Sequence, residues 1–178
     1  MPTKYKMTPY NTFISKSRYS RYLDDKGRRE HWNETVKRYF DFMSKHLADK
    51  QGYHLTNDLR AELESAVNNL EVMPSMRAIM TAGPALERQN VAAFNCSYIP
   101  IDDPKAFDEA MYILLCGTGV GFSVEKQYVN QLPEVPDKLF NSETTIAVSD
   151  SKEGWAKSLR QLIALLYSGE IQIGRAHV

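Results

Sequence analysis

The residues best suited to chemistry are one cysteine and the two backbone-rich turns that flank it in the chain. Cys96 lies in Val91-Ala92-Ala93-Phe94-Asn95-Cys96-Ser97-Tyr98-Ile99, an apolar and aromatic stretch that reads as a buried strand. Upstream, Pro74-Ser75-Met76-Arg77 reads as a turn. In it Ser75 offers hydroxyl and amide donors to a phosphate, and Arg77 a bidentate clamp. Downstream, Gly117-Thr118-Gly119-Val120-Gly121-Phe122-Ser123-Val124 enters a strand through glycines, which let backbone amides approach a ligand closely. A thiol does redox work when it is accessible and has a partner with which to close a disulfide. The combination suggests redox chemistry on a phosphorylated substrate held by amides.

Each motif also has a plainer reading. A free cysteine is commonly a small buried hydrophobe. The glycine segment follows a helix and opens a strand, the reverse of a dinucleotide loop, and lacks the lysine of a P-loop. On spacing alone it is helix-to-strand turn chemistry. The second cysteine, Cys116, closes the apolar helical run Ile113-Leu114-Leu115 and reads as packing. The histidines, His31, His46, His54 and His177, do not cluster with cysteine or carboxylate at metal-ligand spacing.

Several elements must position these groups. Trp32, Val36, Phe40, Met43 and Leu47 form one helical stripe over residues 30–48. A second helix starts with Thr56 or Asn57 as its N-cap and carries Leu59, Leu63, Ala66 and Leu70. Pro74 ends that segment. Ile79 to Pro84 reads as a loop. After the Cys96 strand, Asp103 caps a helix that has Pro104 at its first position, a stripe of Phe107, Met111 and Leu114 or Leu115, and Gly117 as its C′ residue. Residues 130–143 read as a surface loop, and Thr144 to Val148 as a short strand. A last helix runs from near Ser151 through Trp155, Leu159, Leu162, Ile163 and Leu166 to a stop at Gly169. Helices come first and then alternate with strands, which points to a helical entry domain leading into a parallel α/β unit.

The bulk numbers exclude some classes of protein. The chain has 178 residues, 43% of them hydrophobic and 25% charged, with a formal net charge of zero. It reads as globular. No apolar run is long enough to span a membrane, and the start has no apolar signal core. With two cysteines, a reducing cytoplasmic setting is expected. Residues 1–50 carry twice as many Lys and Arg as Asp and Glu, so a nucleic-acid-binding helical module built on that basic segment is the alternative function. The chain finishes in Ile173-Gly174-Arg175-Ala176-His177-Val178, which resembles the translation of a DNA-sequencing adapter. Residues 172–178 are therefore expected to be a non-native read-through tail, and the chain an N-terminal fragment.

In this order, five stretches resemble the N-terminal part of an adenosylcobalamin-dependent (class II) ribonucleotide reductase, most closely the monomeric ribonucleoside-triphosphate branch. They are Tyr19-Ser20-Arg21-Tyr22-Leu23 with Lys26-Gly27-Arg28, the run from Trp32 to Arg38, Pro74-Ser75-Met76-Arg77, Asn95-Cys96, and Gly119-Val120-Gly121-Phe122-Ser123-Val124. Glu153-Gly154-Trp155 is a weaker sixth. The resemblance implies an N-terminal helical domain over 1–73, followed over 74–171 by the first strands and helices of a ten-stranded α/β barrel. It implies reduction of ribonucleoside triphosphates by a thiyl-radical mechanism, with a deoxynucleotide effector and a thioredoxin-type reductant as partners. Cys96 matches the first cysteine of the family's reducible pair. Asn95 matches a substrate-side neighbour. Gly117, Thr118 and Gly119 match backbone contacts to the nucleotide, and Ser75 lies where the substrate-phosphate turn falls. The second reducing cysteine, the radical cysteine and the adenosylcobalamin site are expected downstream. Two features depart from the family. Met73 stands where the family often has Thr, and the stretch from Gln127 to Glu153 is shorter than the effector-binding insertion of the triphosphate branch.

Overall fold

The computed structural model describes residues 6–141 and 143–171. The expected tail at 172–178 lies outside them. The chain divides into two compact units, residues 1–94 and 95–178. The expected domain boundary at residue 73 falls inside the first, because the segment after Pro74 packs as helix on the helical core.

The first unit opens with α1 (Pro9–Ile14), capped by the Thr8 hydroxyl, which accepts from the Asn11 N–H at 3.1 Å. A π-helical turn, Ser15–Tyr19, follows. Next comes a small antiparallel hairpin of β1 (Tyr22–Leu23) and β2 (Arg28–Arg29), with Gly27 left-handed at φ 58° to close its turn. Helix α2 (Trp32–Gln51) bears out the long stripe: Trp32, Val36 and Phe40 are buried, and Gly52 ends the helix in the left-handed region. Helix α3 (Asn57–Asn68) begins at the expected cap, Thr56. Its buried residue, however, is Val67, while Leu59 and Leu63 are exposed. The face set by the Trp32 indole, which donates to the Val67 carbonyl at 3.3 Å, overrides the apparent stripe. Helix α3 closes in a Schellman turn, with Glu71 N–H on the Ala66 carbonyl and Leu70 N–H on the Val67 carbonyl. Leu70 occupies the left-handed C′ position at φ 59°, where glycine is usual. Its side chain packs against the core of Trp32, Val36, Phe40, Val67 and Ile79, which holds it there.

The expected loop at Ile79 to Pro84 is instead largely helix: α4 (Met76–Thr81), then α5 (Pro84–Arg88) after Gly83. Ile79 is fully buried; burying such a side chain contributes about 1.5–3 kcal/mol and pulls the turn into helix. The stretch 91–99 is likewise corrected. Asn90–Ala93 is a 3₁₀ turn, and the strand β3 runs only from Cys96 to Pro100.

In the second unit, β3 is followed by α6 (Lys105–Leu115) and then by β4 (Gly119–Ser123), which pairs parallel to β3. This is a β-α-β unit with adjacent strands. The Asp103 carboxylate accepts from the Lys105 N–H at 2.8 Å and so serves the start of α6, but Pro104, expected as the first helical residue, is the N-cap, and the helix begins one residue later than expected. Gly117, at φ 84°, is the C′ residue, with the Thr118 N–H on the Ile113 carbonyl. A short α7 (Lys126–Val129) precedes the loop. The expected strand at Thr144–Val148 does not form; Ile146 is buried within an irregular segment. The pairing partner of β6 (Glu170–Ile171) is instead β5 (Phe140–Asn141). Helix α8 (Lys152–Ser168) starts at the Ser151 cap and ends at left-handed Gly169, both as expected. Helices α6 and α8 pack together, joined by Arg160, which donates to the buried Asp108 carboxylate at 2.6 and 2.9 Å.

Candidate functional site

The site begins with the register of β3 and β4. Cys96 pairs with Gly119, Ser97 with Val120, and Tyr98 with Gly121. Side chains alternate along a strand, so Cys96 and Tyr98 share one face, and the residues opposite them on that face are both glycines. The Gly119 N–H donates to the Asn95 carbonyl at 2.9 Å, and the Ser97 hydroxyl to the Gly119 carbonyl at 3.1 Å. These bonds fix the start of the ladder beside the thiol. Cys96 is exposed and unbridged; Cys116 is buried and also unbridged. The expected buried strand is thus corrected at its key residue: Cys96 and Tyr98 are exposed, and the residues that alternate with them, Ser97 and Ile99, are half-buried.

The two glycines differ from the others in this unit. A Cβ on Gly119 would meet only the Asn95 carbonyl oxygen, at 3.5 Å, and one on Gly121 only the Ser97 carbonyl oxygen, at 3.7 Å. Both are ordinary contacts, and neither residue has a positive φ. The fold of the described residues does not require glycine at either place. By contrast, Gly117 is held at a positive φ, and at Gly154 the Ser149 carbonyl stands where a Cβ would be. The weak Glu153-Gly154-Trp155 motif is therefore a packing motif. Between β3 and β4, the missing side chains leave an open lane of backbone next to a thiol.

The remaining expected residues fall as follows. Asn95 and Gly117 are exposed, while Thr118 is fully buried with its N–H on the Ile113 carbonyl, which does not leave it open to a ligand. Ser75 is exposed and precedes α4 in the first unit, with no side-chain capping bond. Asn95, Cys96, Gly117, Thr118 and Gly119 belong to the second unit. Cys116 packs as expected, with one polar neighbour: the Lys152 ammonium donates to its Sγ at 3.7 Å.

The basic, tyrosine-rich segment has a structural use. Glu30, 4% exposed, accepts from Arg38 Nε at 2.8 Å, from Arg38 Nη2 and the Arg21 N–H at 3.1 Å, and from the Thr35 hydroxyl at 2.9 Å. Arg38 also donates to the carbonyls of Tyr19, Ile79 and Ala82, and Arg21 to that of Thr81. Burial pushes the Glu30 carboxyl up, but the hydrogen bonds from Arg38, Arg21 and Thr35 outweigh it and hold the group below its usual range. Glu34 is held well below that range by hydrogen bonds from Arg28, the His31 N–H and Lys26. Arg21, Lys26, Arg28 and Arg38 are thus engaged in internal pairs, which removes the main support for the nucleic-acid alternative. No period-3.6 or period-2 signal marks this cluster. The recurrence of cysteine and tyrosine, and of two glycines, at spacing two does mark the open face.

Comparison with known proteins finds the following similarities. Residues 2–84 match the family model described as ribonucleotide reductase alpha domain. Three curated relatives are named adenosylcobalamin-dependent ribonucleoside-triphosphate reductase. That of Lactobacillus gasseri is 28% identical over 89% of this chain and 25% of its own length. That of Lactobacillus leichmannii is 27% identical over 82% and 23%, and that of Lacticaseibacillus paracasei 29% identical over 82% and 23%. A crystal structure of a B12-dependent (class II) ribonucleotide reductase superposes with a TM-score of 0.75 at 21% identity, over 92% of this chain and 32% of the other. The chain has that α/β fold, and it spans about a quarter of the length of these relatives. The resemblance drawn from the motifs holds.

Proposed function

We propose that this chain is the N-terminal part of a ribonucleotide reductase that converts ribonucleoside triphosphates to deoxyribonucleotides. One observation carries the reading: the cysteine that matches the family's reducible pair is exposed on the glycine-lined face of a parallel β-α-β unit. In this reading β3 and β4 are the first strands of a ten-stranded barrel, and the open face looks inward.

The nucleotide lies along the lane between β3 and β4. Gly117 and Gly119 line it with exposed backbone, buried Thr118 holds the turn between them, and Asn95 flanks the sugar; Ser75, in the first unit, is the residue that the resemblance assigns to the substrate-phosphate turn. Cys96 is one of two reducing thiols. As the 2′ hydroxyl leaves as water, the two thiols together give up two electrons and two protons and join as a disulfide. A thioredoxin-type dithiol then reduces that bond. The partner thiol and the radical cysteine lie further along the full-length protein. Adenosylcobalamin supplies the radical initiation when bound. The cleft at Phe42, His46 and Leu86 and the cleft at Asp108, Tyr112 and Arg160 do not include Cys96. A deoxynucleotide effector is a further ligand of the whole enzyme.

The test is Cys96→Ser in the full-length protein. Turnover driven by thioredoxin is lost, while the far-UV spectrum and thermal midpoint stay those of the wild type. Unchanged turnover in the serine variant overturns the reading.

A further inference from the structure

We infer that Tyr98 is the wall on which the nucleobase of the bound nucleotide stacks. The inference rests on the proposed function and adds a binding residue to it. Three observations within the second unit carry it.

Strand alternation puts the Tyr98 side chain on the Cys96 face, two residues further along, which is about 7 Å. That is roughly one nucleoside from the thiol, the spacing that puts a base at Tyr98 when the sugar is at Cys96. Next, the register places Gly121 directly across from Tyr98 and Gly119 across from Cys96. A flat ligand can therefore lie on bare backbone with the phenol ring at its side. Finally, Tyr98 is 62% exposed, so its ring is accessible to a ligand on that face. The Tyr98 phenol is near enough to Tyr128 on α7 to raise the Tyr128 pKa. The ring is open on its surface.

Stacking suits this substrate class. Every base has a π-face, so an aromatic wall accepts all of them without reading hydrogen-bond patterns. Removing the ring is expected to weaken binding of each nucleoside triphosphate by about 5- to 100-fold.

The experiment uses the full-length enzyme with ATP, GTP, CTP and UTP as substrates and inorganic tripolyphosphate as a competitor that lacks a base. Tyr98→Ala and Tyr98→Leu raise KM for all four nucleotides, the purines most, with kcat changed less than KM. Inhibition by tripolyphosphate stays at its wild-type strength. Tyr98→Phe, which keeps the ring, shows a much smaller effect. KM values within two-fold of wild type in both Tyr98→Ala and Tyr98→Leu overturn the inference, as does an equal weakening of tripolyphosphate. Leucine preserves apolar volume, so it remains informative if the alanine variant unfolds. Failure here with Cys96→Ser still inactive rejects only the stacking wall. An active Cys96→Ser enzyme rejects the underlying function.

Discussion

Gly119→Ala separates a glycine kept for the fold from one kept for a ligand. The new methyl group would lie 3.5 Å from the Asn95 carbonyl oxygen, an ordinary van der Waals distance, and Gly119 does not have a left-handed backbone. Alanine therefore fits without strain. It also removes conformational freedom from the unfolded chain, which by itself stabilises a protein by about 0.4–1 kcal/mol. The expected result is a chain at least as stable as the wild type in urea unfolding, followed by far-UV circular dichroism. In the full-length enzyme the same methyl group projects into the lane beside Cys96, where the nucleotide backbone contact is proposed. There the expected result is a KM for nucleotide raised about ten-fold or more, the scale of one obstructed close contact of about 1.4 kcal/mol. The two results have opposite signs, which no purely structural role produces. A loss of stability above about 1 kcal/mol would show that the fold needs this glycine and would refute the reasoning. So would unchanged nucleotide kinetics in a stable variant.

Other expected outcomes follow from the same contacts. Arg38→Ala leaves Glu30 short of its main partner and three carbonyls unbonded; breaking such a buried pair costs about 3–5 kcal/mol. Denaturant unfolding read by the buried Trp32 checks it, and a cost under 1 kcal/mol argues against a structural cluster. Because the Glu30 carboxyl titrates below its unfolded value, its contribution is complete above the ordinary carboxylate range and is lost as pH falls through the folded pKa. Glu30→Gln therefore flattens the acid limb of stability against pH. Gly154→Ala forces a methyl group against the Ser149 carbonyl and should cost about 1–3 kcal/mol in a thermal or urea melt. Gly117→Ala places a Cβ at φ 84° and costs about 1 kcal/mol by the same measurement.

Part of the fold is legible in the order of residues. The stripe from Trp32 to Phe40, the Thr56 and Ser151 caps, and the Gly117 and Gly169 stops are local. Each depends on residues within one turn, so sequence spacing reports them faithfully. The stripe of α3 misleads, because Leu59 and Leu63 have the right spacing but Val67 is the residue that meets the Trp32 helix. Thr144–Val148 misleads for a related reason. Its β-branched residues suit a strand, but a strand needs a partner, and β6 pairs with Phe140–Asn141 instead. At the site, residue types and spacing point to Cys96 and the glycines, yet the same letters read as a buried strand, because apolar neighbours do not say which face is covered.

What the amino-acid order determined by itself was the set of local starts and stops, the thiol, and the order of motifs that ties the chain to a reductase fold. Helix caps and turn glycines act over three or four residues, and a motif needs only its own letters. What tertiary structure decided was direction. The parallel register sets Cys96 and Tyr98 against two glycines, and packing leaves both exposed while half-burying Ser97 and Ile99. It also turns Arg38 of the basic segment inward onto Glu30 and sets Arg28 against Glu34. Those outcomes depend on which distant residue comes to lie opposite, and this is settled only when the elements meet.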